Sequence, residues 1–331
     1  MEEKSTILIT GATGFTGRHL CKRLVADGHH VRAICRPDSV MKDLSCLPVT
    51  WFRGNVYDEE LIKQAMQDVH YVFHMATLYR YGGATESEHR KVHVESTRLL
   101  AEAAARQPDF KRFIHVSTIG VHGHIDNIPA DETAPFAPGD AYQMTKLEAE
   151  TWLNHFAAER EFPYTILRPA AIYGPGDERL LKIFRMALKP VFPRIGKSRG
   201  LYHLIHVEDL VEIMILAASR PEALGEPFIC GNPEAITLEN FVKTVGETFG
   251  KSPRFIQLPA APLFALAGLC EKICTPLRIP PPLYRRRVAF FTKDRSFNTE
   301  KVRLKLGWSP KYSNEQGIQN TALAYREARK L

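Results

Sequence analysis

The stretch TILITGATGFTGRHLCKRLVADG, residues 6–28, joins a short β-branched apolar run to an amphipathic run through three glycines. Residues 6–10 have the composition of a buried strand. Leu20, Leu24 and Val25 recur at helical spacing before a stop at Gly28. Gly11, Gly14 and Gly17 lie between the two. Such a turn needs residues that take positive φ and let backbone approach a ligand. The helix behind it offers N–H groups and the positive end of its dipole, which suits a phosphate. A glycine triplet alone is an ordinary turn, but between a first strand and a first helix it predicts a dinucleotide site.

Working outward, the same alternation repeats. HVRAICR (30–36), VTWFRGN (49–55), VHYVFHMA (69–76), RFIHVST (112–118), YTILRPA (164–170) and EPFICGN (226–232) read as strands. DEELIKQAMQ (58–67), HRKVHVESTRLLAEAAARQ (89–107) and YQMTKLEAETWLNHFAAER (142–160) read as helices between them. Near-continuously apolar strands alternating with helices predict an α/β fold with a doubly wound, Rossmann-type parallel sheet. Composition changes after Pro169, where residues 174–200 are rich in Gly, Pro, Arg and Lys. The expected division is a dinucleotide-binding domain at 1–175 plus 203–236, and a smaller substrate lobe at 176–202 plus 237–331.

Composition narrows the function. At 44% hydrophobic and 24% charged, the 331 residues describe a globular protein. The six cysteines are scattered with no CxxC pair, and the 13 histidines show no metal-ligand spacing. We therefore expect a reduced, cytoplasmic protein without a structural metal. MEEKSTILIT has no basic leader and no long apolar core, so no signal peptide is expected. The net charge of +7 fits a solvated basic surface, or attraction for a phosphorylated cofactor or an anionic membrane. The basic residues are spread along the chain, which argues against nucleic acid.

Two positions speak to cofactor and chemistry. At the end of the second strand, a carboxylate would bind a ribose 2′-OH and an Arg would bind a 2′-phosphate. Here Cys35 takes the acidic position and Arg36 follows. Either Arg36 pairs with a phosphate and the cofactor is NADP, or it is a solvated Arg and the cofactor is NAD; the first is preferred. In DAYQMTKLEAE (140–150), Tyr142 and Lys146 stack one helical turn apart. A free phenol titrates near 10, and an ammonium beside it favours phenolate.

Glycine turn, hydroxyl and YxxxK follow in order on successive strand–helix units. Together they resemble the extended branch of the short-chain dehydrogenase/reductase superfamily, the NAD-dependent epimerase/dehydratase family. GATGFTG, VFHMAT, VSTIGVHG, RPAAIYGPGD, LIHVEDL and LGWSPKYSNEQGI are each similar to segments of that family, so the resemblance spans essentially the whole chain. It implies Tyr142 as general acid/base and Lys146 as the group that lowers its pKa and holds the nicotinamide ribose. It also implies Thr118, rather than Ser117, as the hydroxyl that binds the reacting oxygen. Gly11, Thr13, Gly14, Phe15, Thr16 and Gly17 would cradle the pyrophosphate, and Arg36, Asn55 and Val56 the adenosine end. Met75, Ala76 and Thr77 would line the middle, with Pro169, Ala170 and Ile172 near the nicotinamide. Asn55 replaces the usual Asp. His93 stands where the family usually has Asn, and is read as a core or surface histidine.

Within that family, the dehydratases carry an Asp-Glu pair where this chain has Ile119 and Gly120. Neither side chain moves a proton, which excludes dehydration. The expected activity is an NAD(P)-dependent oxidoreductase acting on a hydrophobic alcohol or ketone, as in 3β-hydroxysteroid dehydrogenase-like members. The alternative is a nucleotide-sugar epimerase with bound NAD; a silent cofactor-binding regulator is more remote. Candidate substrate residues are Tyr79, His122, Arg179, Phe264 and Tyr284. LPAAPLFALAGLC (258–270) is too short to span a bilayer. It reads as a buried helix or dimer contact, a cap on a greasy pocket, or a peripheral membrane contact near Arg285, Arg286 and Arg287. The resemblance further implies a homodimer through the 89–107 and 142–160 helices.

Overall fold

Strand β1 (Thr6–Thr10) buries Ile7, Leu8 and Ile9 completely, as a strand covered on both faces must. The structure, a computed structural model, describes residues 4–78, 84–125, 127–196, 200–274, 276, 279, 281–292 and 294–331. After β1 come α1 (Phe15–Ala26), β2 (His30–Cys35), β3 (Val49–Arg53), α2 (Glu59–Ala65) and β4 (Tyr71–His74). Next are α3 (Glu86–Arg90), a π-helical turn (Lys91–Glu95), α4 (Ser96–Ala104), β5 (Arg112–Val116), a 3-10 turn (Ile119–His122), α5 (Ala141–Arg160) and β6 (Tyr164–Pro169). Then follow β7 (Ala171–Tyr173), α6 (Leu181–Ala187), β8 (Val191–Ile195), β9 (Leu201–Tyr202), β10 (Leu204–His206), α7 (Val207–Ser219) and β11 (Pro227–Cys230). The chain continues through β12 (Ile236–Thr237), α8 (Leu238–Thr248), β13 (Arg254–Leu258), α9 (Ala260–Cys274), α10 (Arg285–Thr292), α11 (Glu300–Leu306) and α12 (Asn314–Glu327).

Seven strands form one parallel sheet in the order β11-β6-β5-β4-β1-β2-β3. The order reverses at β1, whose Ile7 pairs with Val31 on one side and Tyr71 on the other. A doubly wound sheet opens its ligand crevice at such a reversal. Below it, Leu8, Val72, Phe113 and Ile166 of four strands pack with Ile62, Leu100 and Leu153 of the covering helices. The helix starts follow side-chain chemistry. Asp58, Thr85 and Asp140 each accept a backbone N–H at the start of α2, α3 and α5, and Thr85 forms a capping box with Glu88.

The helix expected at 89–107 starts earlier, at Glu86, and is interrupted by the π turn. The chain divides into two units. The first holds residues 1–172, 207–231 and 298–311; the second holds 173–206, 232–297 and 312–331. Residues 298–311 thus group with the first unit. The reason is the exposed edge of β11, which a bare strand would leave unpaired. Lys301 donates to the Pro227 carbonyl at 2.7 Å and lies over the Phe228 ring, while Val302 and Leu306 are buried. In the second unit β8 pairs in parallel with β13. All six cysteines are free thiols. Among the described residues, no helix is long and apolar enough to cross a membrane.

Candidate active site

The glycine turn sits at the sheet reversal because nothing larger fits there. Gly11 has φ of +78°, and a Cβ on it would lie 2.9 Å from the Met75 carbonyl carbon. A Cβ on Gly17 would lie 2.1 Å from the Gly11 oxygen, so the first turn of α1 closes directly onto the end of β1. Gly14 is the N-cap of α1, and its N–H donates to the Gly11 carbonyl at 3.0 Å. Thr13, Phe15 and Thr16 complete the turn. This cradle fits a pyrophosphate: backbone exposed by glycine, aimed by a helix N-terminus.

Behind the turn, a buried chain of hydrogen bonds fixes Met75–Ala76. The Ala76 N–H donates to Thr10 Oγ1, which lies 2.7 Å from His74 Nδ1. His74 Nε2 lies 3.1 Å from Ser96 Oγ, whose one hydrogen goes to the Val92 carbonyl. His74 therefore carries its proton on Nε2 and accepts at Nδ1. Complete burial pushes its pKa well below the ordinary value and keeps it neutral.

At the end of β2, Cys35 is buried and Arg36 is exposed. The Arg36 guanidinium is 3.6 Å from the equally open Asp38, a surface pair that holds it weakly. Asn55 and Val56 lie in the turn after β3. Pro169 ends β6, Ala170 donates to the Cys230 carbonyl at 2.8 Å, and Ile172 is half-buried.

The chemistry-bearing groups gather at the end of β5. Lys146 is 1% exposed and donates from Nζ to the Val116 carbonyl at 2.9 Å. Burial brings its pKa down to about 8, while the nearby Glu150 charge opposes that fall. Two residues beyond Val116, Thr118 caps the 3-10 turn and its Oγ1 accepts the Gly120 N–H. A Cβ on Gly120 would meet Gln143 Nε2 at 3.1 Å and Thr118 Oγ1 at 3.2 Å, so glycine lets the strand end touch the first turn of α5. Tyr142 stands on that turn, half-buried. Ser117 is buried, whereas Thr118 is partly accessible.

Sequence reasoning missed what holds this constellation. His93, on the π turn, is fully buried with its ring edge-on to Tyr142 at 5.4 Å. Its Nε2 accepts the Leu78 N–H at 3.2 Å and lies 3.0 Å from Thr77 Oγ1. Its Nδ1 is 2.8 Å from Thr145 Oγ1, whose hydrogen goes to the Ala141 carbonyl. The proton is therefore on Nδ1, and burial holds the ring neutral. His93 thus ties the loop after β4 to the turn bearing Tyr142. His93→Ala should lower stability by about 1–3 kcal/mol, the cost of orphaned buried polar groups. It should also lower turnover while leaving the pH profile unmoved, because a neutral ring contributes no titration. Urea unfolding and rate–pH measurements check both.

A second buried support is the ion pair of Glu150, one turn beyond Lys146, with Arg168 on β6. Arg168 Nη2 is 2.7 Å from Glu150 Oε2, and the guanidinium lies over the Phe136 ring. His122 belongs to this cluster. It is fully buried, with Nδ1 donating to the Ala134 carbonyl and Nε2 facing Arg168 at 3.4 Å. Those contacts give it a packing place. Arg179, Phe264 and Tyr284 lie in the second unit. Arg179 Nε donates to the buried Asp177 at 2.7 Å, and Phe264 packs with Ile195, Ala267 and Val288. Tyr284 is half-buried. Tyr79 lies outside the described residues. Among the described residues, no cluster of ligating side chains could hold a metal.

A family model described as the NAD dependent epimerase/dehydratase family matches residues 7–231. The chain is 29% identical over 318 residues to a 4-hydroxy-2-methyl-3-oxo-4-farnesyl-3,4-dihydroquinoline-1-oxide ketoreductase of Stigmatella aurantiaca, covering 94% of this chain and 93% of the relative. It is also 29% identical to sterol demethylase protein B of Methylococcus capsulatus (96% and 94% covered). Identity to a UDP-glucose 4-epimerase of Vibrio cholerae is 26% (98% and 96% covered). The crystal structure of gox2253 superposes with a TM-score of 0.82 at 26% identity, over 99% of this chain and 100% of that one.

Proposed function

The chain belongs to the NAD-dependent epimerase/dehydratase family, and from that premise we propose that it is an NAD(P)-dependent oxidoreductase interconverting a secondary alcohol and a ketone on a hydrophobic, sterol-, lipid- or flavonoid-like substrate. The observation that carries the proposal is the assembly of Thr118, Tyr142 and buried Lys146 at one strand end, followed by Ile119 and Gly120 where elimination would need acids. When bound, the nicotinamide cofactor gives or takes the hydride. Thr118 Oγ1 accepts from Gly120, which leaves its O–H to donate to the reacting oxygen. Tyr142 supplies or removes the proton at that oxygen, and the Lys146 ammonium stabilises the phenolate.

The substrate class rests on two supports. The named substrate of the Stigmatella ketoreductase is a farnesylated ring, and the Methylococcus relative is named for a sterol. Arg179, the obvious diphosphate ligand, is engaged by Asp177. The epimerase reading is favoured by the relative from Vibrio cholerae. A panel of sterol, flavonoid and acyl ketones with NADPH or NADH, run beside UDP-, GDP- and dTDP-sugars, separates them. Ketone reduction is expected. Interconversion of a sugar nucleotide without added cofactor, and no carbonyl reduction, would establish the epimerase instead. Cofactor binding with no turnover on either arm would leave the regulator.

The preferred cofactor is NADP, because Arg36 is open and only weakly paired. Arg36→Ala should weaken NADPH by ~1.5–3 kcal/mol, the worth of a charge-assisted hydrogen bond, and leave NADH nearly unchanged. Calorimetric titration reads this directly, and equal affinities in the unmodified protein would make NAD the cofactor. The same reading pairs two chains through α4 and α5, which light scattering tests.

A further inference from the structure

Helix α9 carries an apolar stripe into solvent. Pro262, Leu266, Leu269 and Ile273 recur at three- and four-residue spacing on one face. Leu266, Leu269 and Ile273 are 50%, 55% and 54% exposed. The opposite face does the packing: Ala267 and Gly268 are buried, and Leu263 and Phe264 join Ile195 and Val288 in a small core. A Cβ on Gly268 would lie 2.7 Å from Arg285 Nη2, so α10 covers this inner side. Ile256 on β13 and Ile279 just after α9 are exposed as well. A row of large exposed apolar side chains such as that on α9 marks an interaction surface.

The charge of the sequence that carries the stripe selects the partner. Residues 251–287 hold Lys251, Arg254, Lys272, Arg278, Arg285, Arg286 and Arg287 against one acid, Glu271. That is +6 of the chain's formal +7. Glu271 is itself engaged, accepting the Arg285 N–H at 2.9 Å. Two copies meeting through this face would bring like charges together, which opposes a symmetric dimer here. An anionic surface reverses the sign of that interaction. The 15 residues of α9 span about 22 Å, too short to cross a bilayer but suited to lying along one.

We propose that this face of α9 is a peripheral docking surface for an anionic phospholipid bilayer. Leu266, Leu269 and Ile273 enter the boundary between headgroups and acyl chains. The exposed Lys251, Arg254 and Lys272 add attraction to the lipid phosphates. The inference does not depend on the reaction proposed above, and lipid binding is measured without turnover.

The test is co-sedimentation of the full chain with phosphatidylcholine vesicles, with and without about one-third phosphatidylserine. The expected result is pelleting with the anionic vesicles, weakened by salt. Leu266→Glu/Leu269→Glu should reduce the partition coefficient at least ~10-fold. Leu269→Trp, which keeps an apolar side chain, should add a blue-shifted emission that brominated lipids quench. No pelleting of the unmodified protein, or equal pelleting of the double variant, overturns the proposal. So does a lipid-free dimer that the double variant converts to monomer, which would make a second copy the occupant.

Discussion

Tyr142→Phe should lower turnover by at least ~10²-fold while leaving cofactor affinity little changed. The substitution removes one oxygen and its proton and nothing else. A phenylalanine keeps the ring that packs edge-on against His93 at 5.4 Å, so the start of α5 retains its shape. The lost group has no understudy in His93. That ring has both nitrogens engaged, by Leu78 and Thr145, and burial keeps it neutral. Nor can Lys146 take over, since its Nζ is sealed from solvent and donates to the Val116 carbonyl. Steady-state kinetics with the identified substrate, paired with calorimetry of cofactor binding, give the two readouts. A Phe variant turning over at near the original rate would sink the assignment of Tyr142 as acid/base. Loss of cofactor affinity in step with turnover would mean instead that the phenol serves binding.

The features that could be read in advance share one property: they are local. The glycine turn needs only residues 11–17 between a strand and a helix. Tyr142 and Lys146 are one helical turn apart by spacing alone. The parallel sheet follows from strands that are near-continuously apolar, as in Ile7, Leu8 and Ile9 of β1. What was hidden is carried by contacts between distant residues. His93 reaches Thr145 across 52 positions and His74 reaches Thr10 across 64, and each histidine sits in a stretch that looks like any buried strand or helix. The π turn at Lys91–Glu95 has no propensity signature, yet it sets the side of the helix on which His93 emerges. Residues 298–311 return to the first unit because β11 has an open edge, a need visible only once the strand order is known. Arg168 was visible in RPAAIYGPGD, but its partner Glu150 lies 18 residues earlier, on another element.

That partner produces the second large expected effect. Glu150→Gln should lower stability by about 3–5 kcal/mol, because it leaves the Arg168 guanidinium buried without a counter-charge. Glu150 and Arg168 side chains are 1% and 3% exposed, so water does not replace the lost carboxylate. The same substitution acts on the chemistry. Burial drives the Lys146 pKa down to about 8, and the Glu150 charge is what resists it. Without that charge the pKa falls further. On the proposed mechanism activity needs the ammonium, which is lost as pH rises, so the alkaline limb of the rate–pH profile should move to lower pH. Stability should respond with the opposite sign. Between the folded value near 8 and the unfolded value of about 10.4, the unfolded chain binds more protons than the folded one. Folding is therefore favoured by rising pH across that window, and in Glu150→Gln the window opens at lower pH. Urea midpoints measured from pH 7 to 10 and a rate–pH profile test both arms. An unmoved midpoint would show that Arg168 finds another partner. A lowered midpoint with an unmoved alkaline limb would show that the limb does not report Lys146. The double replacement Glu150→Leu/Arg168→Met separates the two roles. Removing both charges together should restore much of the stability, yet the alkaline limb should stay displaced because the carboxylate beside Lys146 is still absent.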